Sequence, residues 1–269
     1  MNDNQIVNAY LSGLTAQAVA KKAGFKSHVS ILSILGRNGV KCRSRSENMM
    51  GKRRALKHGC DDGFFDTIRT QKQAYLLGLL MADGNVMISH EQGYRVSFSS
   101  VDKELVELVK GLLKATHPIR PRKDGGWEIV LSSPRLTAGL IKNGCGERKS
   151  LTIAWPRMLA PMLNRHFVRG VFDGDGGVGF DKKGNARWSI VGSREFVHTL
   201  ADVIGKDVGF TVRPRPHGAI WRVGANGNHR AKRMASYIYR GARYWLSRKR
   251  LVFDSIVTKY VKNGGISCG

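Results

Sequence analysis

Acidic residues are scarce in this sequence: 20 Asp and Glu stand against 45 Lys and Arg in 269 residues, a formal net charge of +25. Like charges repel within a folded chain, so a surplus of this size points to a polyanionic partner, with nucleic acid ahead of an anionic membrane surface. Long apolar runs are missing as well. The longest of interest, Ala74–Ala82, falls far short of the roughly 20 residues that span a bilayer. The amino terminus, MNDNQIVNAY, lacks the basic-then-apolar layout of a secretory signal. No membrane partner is expected. Cysteine is sparse and scattered, at Cys42, Cys60, Cys145 and Cys268. With no CxxC pair, a disulfide framework and a cysteine zinc site are both set aside, and reduced thiols in a cytoplasmic setting are the expectation.

What is present is the composition of a globular protein, 42% hydrophobic and 24% charged, in a chain long enough to bury a core. Residues 1–40 read as three short helices. Thr15 and Ser27 stand as N-caps, and Gly24 stands between the second and third helices. A helix, a short turn and a further helix make a helix-turn-helix pattern. A basic linker, residues 41–63, follows, and residues 1–60 carry 11 basic side chains against 2 acidic ones. A DNA-binding module is the reading this favours. Its contacts would come from Lys26, Ser27, His28 and Ser30 at the start of the third helix, where recognition helices touch bases, with Arg37 in its last turn.

Beyond the linker the texture repeats. A helical stretch, QAYLLGLLMADG, returns about 90 residues later as HFVRGVFDGDG. Each copy continues with a strand pair, a helix, a second strand pair and a second helix. Turn signals lie at Asp124-Gly125-Gly126, Lys183-Gly184-Asn185 and His217-Gly218. The expected fold class is α+β, an αββαββα unit present twice (64–156 and 157–269), beside a small all-α domain.

The two glycine-bearing helices carry the chemistry. Gly78 and Ala82, like Gly170 and Gly174, lie four residues apart and share a helix face. Small residues on that line let two helix backbones approach closely. Both helices run into Asp-Gly, at Asp83-Gly84 and Asp175-Gly176, with glycine in the usual C′ position. If the helices pack in parallel, Asp83 and Asp175 meet at one end of the seam. Two adjacent carboxylates at the negative ends of two helix dipoles repel each other unless a cation lies between them. Mg²⁺, with Mn²⁺ as the substitute, binds through such a pair together with substrate phosphates, the arrangement for phosphodiester hydrolysis. Asp-Gly alone is a common turn signal, and it is the repetition after two matching helices that favours metal ligands. Asp173 aligns with Met81 and reads as a surface or last-turn residue. Gly174–Gly179 spells GxGxxG, yet it closes a helix and opens a strand, the reverse of a dinucleotide site. DGDGG opens like an EF-hand loop but lacks that loop's later ligands.

Leu76–Gly84 and Val168–Gly176 resemble the two signature motifs of LAGLIDADG homing endonucleases, and the resemblance extends over roughly residues 64–260. It implies a monomer whose two αββαββα halves form a saddle over double-stranded DNA, in a bacterial or phage-infected cell. It further implies Asp83 and Asp175 as ligands of the catalytic divalent metal, and site-specific cleavage of both strands that leaves short 3′ overhangs. The family's catalytic basic residue beyond each second helix maps to Lys149 and Lys249. Arg148 and Arg248 stand one position away, so either register fits. The amino-terminal helices resemble the extra module of phage and bacterial members. Other members of the family bind DNA without cutting it, or act as intron RNA maturases.

Basic side chains also stand in the strands, at Arg95, Arg120, Arg122 and Lys123 in the first copy and Arg187, Arg213, Arg215 and Arg222 in the second. Residues 208–253 hold 11 basic side chains and no acidic one. These are the expected DNA contacts, most of them to phosphate. Trp127, Trp188 and Trp221 are expected to pack under the sheets.

Overall fold

Side-chain caps delimit the first three helices. Asn2 and Gln5 form a capping box that starts α1 (Asp3–Leu11), the reciprocal pair satisfying backbone N–H groups ahead of the first buried side chain. Thr15 caps α2 (Ala16–Ala23), which ends on Gly24 at φ +79°, and Ser27 caps α3 (His28–Arg37). Ile6, Tyr10, Val19, Ala20, Ile31, Ile34 and Leu35 close a small core. Arg43 donates its backbone N–H to the Tyr10 hydroxyl at 2.8 Å, with its guanidinium 4.2 Å from that ring's centre.

The computed structural model describes residues 1–43, 58–89, 93–146 and 153–262. The chain divides into two units, Met1–Lys57 and His58–Gly269. Most of the expected linker lies outside the described residues. Its last part, by contrast, is engaged with the second unit: the Gly59 N–H donates to the Thr116 hydroxyl at 2.9 Å and the Asp61 N–H to the Leu113 carbonyl at 2.7 Å.

The second unit is α+β. Its first repeat runs α4 (Gln71–Asp83), β1 (Gly84–Ser89), β2 (Gly93–Ser100), α5 (Lys103–Leu112), β3 (Ile119–Pro121), β4 (Trp127–Leu131) and α6 (Pro134–Lys142). After a 3₁₀ turn at Pro161–Leu163 the second repeat runs α7 (Asn164–Asp175), β5 (Gly176–Phe180), β6 (Ala186–Gly192), α8 (Arg194–Val208), β7 (Arg215–His217), β8 (Ile220–Asn226) and α9 (Asn228–Tyr239). A last helix, α10 (Ser247–Lys262), follows. Each repeat builds an antiparallel four-stranded sheet, in the orders β1-β2-β4-β3 and β5-β6-β8-β7. The positive φ angles of Gly125, Gly184 and Gly218 confirm the expected hairpin turns.

Alternation puts one face of each sheet on the core. Val86, Val96, Phe98, Ile129 and Leu131 are buried in the first, and Trp188, Ile190, Val223 and Ala225 in the second. Trp127 and Trp221 occupy matching positions and pack against this core, beneath Lys103 and Arg194. The core is centred on α4 and α7. Every residue from Ala74 to Met81 and from His166 to Asp173 is buried, so both helices are enclosed on all sides. No helix among the described residues is long and apolar enough to cross a membrane.

Candidate active site and nucleic-acid interface

Glycines set the distance between α4 and α7. A Cβ on Gly78 would run into the Phe167 carbonyl oxygen and lie 2.9 Å from the Val171 nitrogen. One on Gly170 would run into the Tyr75 carbonyl oxygen and lie 2.8 Å from the Leu79 nitrogen. One step on, a Cβ on Gly174 would collide with Ala82 and fall 3.2 Å from Asp83 Oδ2. The contacts advance together along both helices, so the helices are parallel, their backbones touch, and the Asp83 carboxylate reaches the end of α7. Gly84 and Gly176 follow the helices at φ −77° and −89°. Glycine is therefore not required there for a left-handed C′ conformation, contrary to the sequence expectation. It is required for space, because a Cβ on Gly84 would lie 2.6 Å from the Leu80 carbonyl oxygen and one on Gly176 would strike the Phe172 carbonyl.

Asp83 and Asp175 are both exposed at these helix ends. Asp83 lines a cleft of about 300 Å³ together with Asp102, Arg122, Asp124, Asp173, Gly174 and Arg248. Asp173 lies in the last turn of α7, one of the two places the sequence allowed, but it is not on the surface: it is 2% exposed. Its Oδ2 accepts hydrogen bonds from the Tyr75 hydroxyl at 2.8 Å and from the Leu246 N–H at 2.9 Å, while Oδ1 has no partner. Burial pushes its carboxyl up to about 6, against the Tyr75 hydrogen bond and the nearby Lys249 charge.

Lys249 is 4% exposed and reaches the same helix end from α10. Its Nζ donates to the carbonyls of Phe172 and Asp173, both at 2.7 Å, and to that of Gly174 at 3.1 Å. A cation at the negative end of a helix dipole is well placed. Burial nevertheless lowers its ammonium to about 8, with Asp173, Asp83 and Asp175 pulling it back up and Arg248 pushing it further down. Arg248 lines the cleft and holds Asp102 at 2.9 Å, with 58% of its side chain exposed. Lys249 is the cation on which the charges of both Asp83 and Asp175 act. Lys149 and Arg148 lie outside the described residues.

A second buried cation stands behind this group. Arg169 is fully buried and donates to the Tyr244 carbonyl at 2.7 Å, the Ile238 carbonyl at 2.8 Å and His166 Nδ1 at 3.0 Å. Burial, then the charges of Arg169 and Arg165, lowers His166 to about 4.

Among the described residues no three His, Cys, Asp or Glu side chains form a metal-holding group. The donor set still suits Mg²⁺, which binds through one or two carboxylates and fills its shell with water and substrate phosphate oxygens. Asp83 and Asp175 would hold it, and Asp173 lines the same cleft as Asp83.

The expected DNA-contacting side chains fall in two groups. Arg95 and Arg120 are exposed on the outward face of the first sheet. Arg122 is tied to Asp124 at 2.8 Å and to Glu128 at 3.8 Å, and Lys123 is exposed in the turn beyond it. Arg187, Arg213, Arg215 and Arg222 line a single groove of about 1020 Å³ on the second sheet. Arg230 lines it too, and only its place in the acid-free 208–253 stretch could have singled it out. Lys26, His28 and Arg37 are exposed on the amino-terminal unit, and Ser30 is half-buried. The Ser27 hydroxyl is already engaged as the cap of α3.

This architecture, two αββαββα repeats joined by parallel glycine-seamed helices, has known counterparts. It matches that of the I-LtrWI LAGLIDADG homing endonuclease bound to target DNA at 12% identity and a TM-score of 0.50, over 72% of this chain and 91% of that one. It matches the LAGLIDADG meganuclease I-AabMI bound to uncleaved DNA at 12% identity and a TM-score of 0.50, over 72% and 92%. The I-SmaMI LAGLIDADG homing endonuclease bound to cleaved DNA matches at 10% identity and a TM-score of 0.50, over 73% and 91%. Identities this low establish the fold. Residues 70–127 match the LAGLIDADG-like domain family, so the chain carries a LAGLIDADG-like domain within the two-repeat LAGLIDADG fold. No curated protein matches it in sequence.

Proposed function

We propose that this protein is a site-specific, metal-dependent DNA endonuclease that acts as a monomer. The observation that carries the reading is the placement of Asp83 and Asp175 at the ends of two parallel helices in backbone contact. The metal, when bound, supplies activation of water and stabilisation of the leaving oxygen. Asp83 and Asp175 would hold it. Lys249 keeps the end of α7 in place and brings a positive charge close to both carboxylates. Because one chain supplies both carboxylates, no second subunit is needed to complete the site.

The outward faces of the two sheets dock on duplex DNA through Arg95, Arg120, Lys123, Arg187, Arg213, Arg215, Arg222 and Arg230. Cutting both strands and leaving short 3′ overhangs follows from likeness to the family. The amino-terminal helices add a second DNA contact through Lys26, His28, Ser30 and Arg37, and a tethered module raises affinity through effective concentration.

The test is a Mg²⁺-dependent cleavage selection on DNA from the chain's genomic neighbourhood, with Asp175→Asn as control. A discrete double-strand cut that the control lacks supports the reading. Specific retention of a fragment with no cut in Mg²⁺ or Mn²⁺ overturns it in favour of a non-cleaving DNA binder, and preference for structured RNA overturns it in favour of a maturase.

A further inference from the structure

The strand registers allow the two sheets to be compared position by position. Gly84 pairs with Phe98 as Gly176 pairs with Ile190, and Ser97 pairs with Val130 as Ser189 pairs with Gly224. Arg120 faces Glu128 across the last strand pair as Arg215 faces Arg222. On the outward faces, therefore, Asn85 corresponds to Gly177, Met87 to Gly179, Val130 to Gly224 and Glu128 to Arg222. Arg95 and Arg187 match, as do Arg120 and Arg215.

The two faces differ in shape and in charge. In the second sheet three glycines leave a shallow floor, with the small Ser189 side chain between Gly177 and Gly224, and arginines wall the groove of about 1020 Å³ above it. Gly179 has nothing within 4 Å of where its Cβ would stand, so local packing does not demand glycine there. In the first sheet the corresponding floor is filled by Asn85, Met87 and Val130. Its cationic charge is offset by Glu128, which stands opposite Arg120 and 3.8 Å from Arg122.

Resting on the DNA reading above, we infer that the two halves of the target are read by different chemistry. The second repeat takes a guanine-bearing half and supplies most of the affinity. Arg is the side chain that pairs bidentately with the guanine edge in the major groove, and an open floor lets base edges and phosphates come within its reach. The first repeat takes an A·T half. Asn pairs with adenine, and Met87 and Val130 offer apolar contact to thymine methyl groups.

The experiment is a binding selection from random-sequence 30-base-pair duplexes with the full chain carrying Asp83→Asn and Asp175→Asn, so that nothing is cut. The expected product is an asymmetric motif, guanine-rich in one half and A·T-rich in the other. Adding Arg222→Glu erases base preference in the guanine-rich half and leaves the other half unchanged. Adding Gly179→Met, the residue of the first repeat at that position, weakens binding at least tenfold with no change in melting temperature. A motif with equal guanine content in both halves overturns the inference while leaving the DNA reading intact. So does loss of preference in the A·T half on Arg222→Glu. Failure of the chain to bind any duplex overturns the DNA reading itself.

Discussion

Tyr75 of the first repeat donates a 2.8 Å hydrogen bond to the carboxylate of Asp173 in the second. The same carboxylate oxygen accepts from the backbone N–H of Leu246, at the foot of the helix that carries Lys249. One buried acid thus ties together both motif helices and α10, the three elements whose ends define the candidate active site.

The seam between the motif helices tolerates no added methyl group. Gly78→Ala and Gly170→Ala each drive a Cβ into a carbonyl oxygen of the facing helix, and overpacking of this kind costs about 1–3 kcal/mol or more. Both variants should melt at lower temperature. Gly111→Ala in α5 meets nothing within 4 Å, and gains about 0.5–1 kcal/mol from helix propensity. Thermal denaturation of the three variants checks the contrast, and an unchanged melting point for Gly78→Ala would contradict the close approach.

Lys249 and Arg248 are neighbours with opposite burdens. Lys249→Met leaves the carbonyls of Phe172, Asp173 and Gly174 without their donor, a loss of about 1.5–3 kcal/mol for a charged hydrogen-bonding group. DNA cleavage should be lost as well. Arg248→Ala removes an exposed ion pair worth about 0–1 kcal/mol. Urea denaturation and a cleavage assay on the selected site distinguish the two. Equal effects would reopen the choice between them.

His166 gives the fold an acid weakness. Its imidazole is lowered from the ordinary 6.5 to about 4 in the folded state, so the unfolded chain takes up a proton first as pH falls. Its contribution is full above pH 6.5 and is lost towards pH 4. Asp173, raised from 3.8 to about 6, acts with the opposite sign over much of this window, because the folded state binds that proton first. The two partly cancel in the unaltered protein. His166→Gln removes only the first, so the variant's stability at pH 5 relative to pH 7 should exceed that of the parent. Urea midpoints at the two pH values measure it.

DNA binding should weaken steeply with salt. Each phosphate neutralised by Lys or Arg releases condensed counterions, and six to ten such contacts lose about 10³–10⁵ in affinity between 50 and 200 mM salt. A titration of a mixed-sequence duplex over that range checks this, and a flat response would remove the sheet arginines as the docking surface.

Much of the fold is legible in the residues because it rests on local signals. Caps at Thr15 and Ser27 start helices, positive-φ glycines turn hairpins, and alternation along each strand separates core from surface. The duplication is legible for the same reason, since each copy repeats those signals in order. Asp83 and Asp175 stand out because a polar residue recurs at the end of two matching apolar helices.

The rest was decided by contacts between residues far apart in the chain. Nothing near Asp173 in sequence announces that Tyr75 and Leu246 will bury it, and nothing in Arg248-Lys249 says which side chain turns inward until α10 packs against the end of α7. The difference between the two sheet faces likewise needs the register that aligns Glu128 with Arg222 and Met87 with Gly179. Periodicity along one segment determines which element forms and which face it buries. Burial of a charge, and the partners that satisfy it, belong to the packing of several segments at once, and here only the tertiary structure decides them.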